Sequence, residues 1–238
     1  MNRLPVLEVI ATDVADAKAA EAGGADRIEL VSAMSEGGLT PSIGVIEEAA
    51  GSVSIPVYVM IRPHSRSFRY SPDDIRAMLK DVRAARKAGA TGIVVGALTE
   101  RGDVDREPLL ALAEEANGMG ITFHRAIDES ASLTRTLEAA AEIPGIVRVL
   151  TSGGKRTAPE AAETLASLRE LGLERGVAVM AGSGMTADNL GPFVLRSGIT
   201  EVHFGSGVRR EGSFRHPVDP ELVRAAKRTL TDAAANLR

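Results

Sequence analysis

The chain has 238 residues, of which 44% are apolar and 25% charged, with a net charge of −4. That is enough apolar material for a sizeable core, and nothing in it draws in nucleic acid or an anionic membrane; two Tyr, five Phe and no Trp leave little aromatic surface for stacking bases. Cys is absent, which removes disulfides, thiolate nucleophiles and thiolate metal ligands together. No apolar run approaches the roughly 20 residues of a membrane helix. The opening MNRLPVLEVI lacks the apolar stretch of a signal peptide, so cytoplasmic residence is expected.

In chain order, short apolar runs predict strands near 6–10, 27–31, 56–61, 92–96, 120–124, 146–150, 177–181 and 200–204, with a helix after each. Several helices end at Gly just before the next strand, as in Gly23-Gly24, Gly89 and Gly198. Thr40-Pro41, Ser71-Pro72 and Asp219-Pro220 each read as a capping residue before a Pro at the first helical position, and Thr157 with Glu160 fits a capping box. Eight βα units without a linker predict one domain over 1–238, an α/β (β/α)8 TIM barrel of about minimum size, since the fold usually takes roughly 250 residues. The rival, an open doubly wound sheet, lacks its glycine fingerprint after strand one, where Glu8-Val9-Ile10-Ala11-Thr12-Asp13 has no Gly.

In such a barrel the site lies where strands end. Glu8 and Glu29 sit inside apolar strands, where a carboxylate is costly unless paired or functional; the plain alternative is an ion pair with Arg27 or another arginine. Strand three runs into Arg62-Pro63-His64 and a long loop, 62–71, which reads as a lid with anion-gripping groups or as a solvated tether. Strand five delivers His124, Arg125 and Asp128, an imidazole suited to proton transfer near neutral pH with charged neighbours. Strands six, seven and eight run into Thr151-Ser152-Gly153, Gly182-Ser183-Gly184 and His203-Phe204-Gly205-Ser206, turns able to present N–H groups to an anion. The expected acid–base groups are therefore Glu8, Glu29, His124, Asp128 and His203. The expected ligand contacts are Arg62, Arg125, Thr151, Ser152, Gly153, Gly182, Ser183, Gly184, Gly205 and Ser206. Arg66, Arg69, Lys155, Arg156, Arg209, Arg210 and Arg215 add a cationic rim.

Leu7-Glu8-Val9, Gly24-Ala25-Asp26-Arg27-Ile28-Glu29-Leu30, Glu36-Gly37-Gly38-Leu39-Thr40-Pro41-Ser42, Ile61-Arg62-Pro63, Thr122-Phe123-His124-Arg125-Ala126, Leu150-Thr151-Ser152-Gly153 and Ala181-Gly182-Ser183-Gly184 together resemble the CutC family, named for copper homeostasis. The resemblance implies a (β/α)8 barrel, a cytoplasmic homo-oligomer (dimer or tetramer) and binding of copper or another divalent metal. Members credited with copper binding carry Cys two positions after each strand glutamate; Ile10 and Val31 stand there in this chain. Cu(I) prefers soft ligands, so no thiolate site is expected, and no metal-binding residue is assigned. The soft donors left are thioethers such as those of Met34, Met60, Met180 and Met185, and His124, His203, Glu8 and Glu29 offer nitrogen and oxygen to a borderline divalent ion. Beside copper homeostasis, which the resemblance implies, the residues themselves point to an enzyme. It would act on a small anionic, phosphorylated-type metabolite by isomerisation, aldol-type cleavage or hydrolysis. A third reading leaves the polar strand ends as ion pairs without turnover.

Overall fold

The structure is a computed structural model that describes residues 4–237. Eight parallel strands close into a barrel in sequence order: β1 Val6–Ala11, β2 Arg27–Leu30, β3 Val57–Met60, β4 Gly92–Val95, β5 Gly120–Phe123, β6 Ile146–Thr151, β7 Ala178–Gly182 and β8 Glu201–Phe204. The expected strands agree to within a residue or so at each end. The ring closes by β1 pairing β8, with Glu8 beside His203 and, on its other flank, beside Arg27. Helices α1 Val14–Gly23, α2 Ile43–Ser52, α3 Pro72–Lys87, α4 Arg106–Ala116, α5 Leu133–Ala141, α6 Ala162–Arg175, α7 Ala187–Ser197 and α8 Pro220–Ala235 form the outer layer. No described helix is long and apolar enough to cross a membrane.

Helix starts follow the capping rules where the cap side chain is free to act. Ser71 and Asp219 cap α3 and α8 ahead of Pro72 and Pro220. Two expected starts are corrected. The Thr40 hydroxyl is engaged by the Arg62 backbone, 2.9 Å from its N–H, so α2 begins at Ile43 with Ser42 as its cap. Thr157 makes no capping bond and leads only into a 3-10 turn, Ala158–Ala161, ahead of α6.

The strands bury alternate residues on opposite faces. Along β1, Leu7, Val9 and Ala11 join the large core against the helices, while Ile10 falls in a separate cluster with Val31, Tyr58, Met60 and Val94. That second cluster and the charged residues between its members fill the barrel interior. Such interiors are dominated by Val, Ile and Leu; this one is charged toward the strand starts. Arg27 and Arg148 both reach Glu201, at 3.4 and 3.1 Å, and both stack on the Tyr58 ring. Tyr58 has room to lie there because β4 and β5 begin with glycine: a Cβ at Gly92 or Gly120 would fall 2.3 or 2.2 Å from its side chain.

Candidate functional site at the strand ends

A cavity of about 250 Å³ opens at the C-terminal ends of the strands. Its polar floor is built by Glu29, His124 and His203, with Arg62 and Arg125 at the side. Glu29 and His203 stand in β2 and β8 and the His124 N–H donates to Val95 of β4, so the barrel ladder fixes their backbones, while Arg62 and Arg125 follow in the loops after β3 and β5.

Glu8 lies beneath the cavity, fully buried, as the anchor of this floor. One of its oxygens takes the Arg27 Nε–H, and the other lies 2.8 Å from His203 Nδ1. Burial alone would push Glu8 up, but the Arg27 guanidinium and His203 outweigh it and hold the carboxyl well below the usual carboxylate range. The other imidazole nitrogen of His203, Nε2, faces Glu29 Oε2 at 3.7 Å. Burial pushes Glu29 up to about 7, because it has no arginine partner of its own and Glu8 repels it. Burial disfavours a charged His203, yet Glu29 and Glu8 together raise its pKa. Inside the barrel, the three carboxylates of Glu8, Glu29 and Glu201 face the two guanidiniums of Arg27 and Arg148. Glu29 and His203, facing each other and both shifted upward, therefore titrate as a coupled pair.

His124 is in the opposite state. Its Nδ1 accepts the Ala126 N–H at 3.2 Å, which places the lone pair on Nδ1 and the ring proton on Nε2. Burial, with the charge of Arg62 nearby, pushes its pKa down to about 3. The ring is thus a neutral N–H donor, and its Nε2 has no partner. Gly96, just after β4, makes room for it, since a Cβ there would lie 2.5 Å from the imidazole.

Arg62 is 7% exposed and is cradled by the Glu36-Gly37-Gly38 turn, where Gly37 and Gly38 have positive φ. The carbonyls of Glu36 and Gly38 both accept from its Nη1 at 3.2 Å, and Phe68 of the 62–71 loop packs on the guanidinium. From this loop Arg62 and Phe68 line the cavity, while Arg66 and Arg69 are exposed to solvent.

Nine of the expected residues meet at this mouth: Glu29, His124, His203, Arg62, Arg125, Ser183, Gly184, Gly205 and Ser206. Asp128 does not line it. Its carboxylate accepts from Thr151 Oγ1, Ser152 N–H and Oγ–H, Gly154 N–H and Arg125, so it braces the corner after β6. Thr151, Ser152 and Gly153 belong to that brace, and Gly182 is a packing glycine whose Cβ would meet Leu150 at 2.7 Å. The expected cationic rim is also corrected. Arg209 is buried against Asp16 at 2.7 Å, Arg210 pairs with Asp219 and Arg156 with Glu160; Lys155 and Arg215 are exposed. An apolar wall went unassigned from sequence: Met34, Met60, Met185, Ile10, Leu150 and Phe214. Only Phe214, a large aromatic left 36% exposed, stands out once its surroundings are known.

Residues 5–208 match the model of the CutC family. The chain belongs to the CutC family. It is 44% identical to a family protein CutC of Sinorhizobium medicae over 98% of this chain and 94% of that one. A Caulobacter vibrioides counterpart is 41% identical over 98% and 97%. The crystal structure of CutC from Streptococcus agalactiae, described as a copper homeostasis protein, superposes with a TM-score of 0.79 at 28% identity, covering 85% of this chain and 98% of that one. Phosphoribosylanthranilate isomerase of Thermotoga maritima shares the fold at a TM-score of 0.64 and 12% identity over 96% of this chain and 100% of that one.

A copper ion is a poor match for the residues that this family member carries. Among the described residues, Glu8, Glu29 and His203 bring two carboxylate oxygens and an imidazole nitrogen within 4.8 Å of one another. Those are hard and borderline donors, whereas Cu(I) selects soft ones. Glu8 is already neutralised by Arg27, so a cation there would sit beside a guanidinium. Ile10 and Val31 are buried hydrocarbon, and Met34 and Met60 pack with them as part of the apolar wall.

Proposed function

We propose that this chain is an enzyme that moves protons on a small anionic metabolite held in the strand-end cavity. The observation that carries this reading is Glu29: a buried carboxyl with its pKa brought to about 7, one oxygen without a partner, and His203 beside it to exchange the proton. A general acid–base group works best when its pKa lies near the working pH. Glu8 and Arg27 hold His203 by its far nitrogen, so the proton moves between Glu29 and a fixed imidazole. His124 supplies a neutral N–H donor to a carbonyl or developing oxyanion, a role that a low imidazole pKa favours. The metabolite's charge answers Arg62 and Arg125, and Ser183, Gly184, Gly205 and Ser206 close the mouth around it.

The test does not need the substrate's identity. The protein is incubated in heavy water with a pool of small cellular anions, and deuterium uptake at carbon is read by mass spectrometry. One or more anions should gain deuterium with the wild type and none with Glu29→Gln. Equal uptake with both proteins would overturn the assignment.

A further inference from the structure

The arrangement of unpartnered groups around the cavity also says what kind of molecule fits. Arg62 is a buried cation with no carboxylate partner among the described residues: its hydrogen bonds go to the neutral carbonyls of Glu36, Gly38 and Ser65. Nη1 is filled by two of these, Nη2 makes one long contact of 3.4 Å, and Nε makes none that is well aligned, although the buried Tyr70 hydroxyl also lies beside the guanidinium. What remains is the Nε–Nη2 edge, the edge that grips a planar carboxylate through two parallel bonds. Phe68 joins this group to the next: its ring packs 4.6 Å from the Arg62 guanidinium and 4.8 Å from the His124 ring. His124 has its own unpartnered donor, Nε2–H, and Glu29 its own unpartnered acceptor, Oε1. An unpaired buried polar group costs about 1–3 kcal/mol, and these three belong to residues that line one cavity. The glycine turns after β7 and β8 show no comparable unpaired charge. Around these groups the inner wall is apolar, with Ile10, Met34, Met60, Leu150, Met185 and Phe214, while Ser183, Ser206 and Arg125 stand toward the mouth.

Building on the acid–base reading above, we infer that the cavity takes a short oxo acid, its carboxylate on the Nε–Nη2 edge of Arg62 and its carbonyl oxygen on His124 Nε2–H. Glu29, as carboxylate, takes a proton from the carbon beside the carbonyl. The electron pair of that C–H bond becomes the C=C bond of an enolate, and the carbonyl oxygen carries the charge against His124. Return of the proton from Glu29 to carbon completes the exchange, and no co-reactant is consumed.

The probes are oxalate, malonate and succinate, in which a second carboxylate stands for the enolate oxygen at increasing spacing, with inorganic phosphate beside them. Binding is read by calorimetry and by thermal shift on the intact protein. At least one dicarboxylate should bind more tightly than phosphate. Arg62→Gln should weaken it by roughly tenfold to a hundredfold, the worth of a charge-assisted pair. Arg62→Lys, which keeps the charge but loses the fork, should fall between. His124→Phe should weaken it severalfold. Wild-type crystals soaked with the tightest dicarboxylate give a reading that does not depend on how the variants fold, and its carboxylate should lie on Arg62. The inference is overturned if no dicarboxylate binds, if phosphate binds tighter than all of them, or if the bound anion lies on the glycine turns with Arg62 untouched. None of those results bears on Glu29-dependent deuterium uptake, so the acid–base reading stands or falls separately.

Discussion

Replacing Glu29 by Gln should change how stability depends on pH, and the sign and size follow from the site. The folded chain keeps the Glu29 proton up to about pH 7, against 4.5 for the free group. Between those values folding takes up a proton, so the wild type loses stability as pH rises through that window. At about 1.4 kcal/mol per unit of pKa, the loss is about 3 kcal/mol once the pH exceeds 7. The groups facing Glu29 are His203, Glu8 and Arg27. His203, whose pKa is also raised, acts in the same sense: its stabilising charge is full below its free pKa and is lost as pH rises through the folded one. Glu8, held low, contributes fully above 4.5 and so adds no slope in this window. A Gln at position 29 has nothing to ionise. The melting temperature of the variant relative to the wild type should therefore climb by roughly 6–12 °C from about pH 5 to about pH 9, at the 2–4 °C per kcal/mol usual for a chain of this size. Differential scanning calorimetry across that range measures it. Parallel curves for the two proteins would mean that Glu29 is ionised throughout, and the reasoning would fail.

Other parts of the account lend themselves to simpler tests. Asp128→Ala removes the acceptor shared by Thr151, Ser152 and Gly154, and urea titration should show a loss of about 2–3 kcal/mol; an unchanged midpoint would deny the brace. Asp16→Asn leaves the buried Arg209 without its counter-charge and frees the segment that carries Phe214. Its expected penalty is roughly 3–5 kcal/mol, with faster amide exchange over 205–218; slow exchange there would contradict the pinning role. Cu(I) offered together with a competing chelator should stay on the chelator, whereas tight one-to-one transfer to the protein would refute the donor-set argument.

The barrel and much of its floor were legible in the sequence for one physical reason: a charge inside an apolar strand is too expensive to be incidental. That logic singled out Glu8 and Glu29, but the acid–base role expected of Glu8 is corrected: it lies beneath the cavity, paired with Arg27, as the plain alternative had it. The same logic applied to Val147-Arg148-Val149 and to Glu201-Val202 would have found the Arg148–Glu201 pair at the strand starts, which went unassigned. The cationic rim was misjudged because pairing is a long-range property. Arg209 and Asp16 are 193 residues apart, and nothing local marks one as the partner of the other. Asp128 read as an acid–base group because its neighbours are polar; its role as a brace depends on loop backbone that only the folded chain positions. Met34, Met60 and Met185 stand out in sequence only as thioethers in a chain without Cys, and their place on the cavity wall comes from barrel geometry alone.

Nitrogen-15 NMR of the imidazole side chains, followed across pH, puts the central claim to its most direct test. His124 should remain a neutral ring protonated on Nε2 down to about pH 4, while His203 titrates together with Glu29 as a coupled pair. A His124 that titrates near the ordinary 6.5 of histidine, or a His203 indifferent to Glu29→Gln, would contradict it.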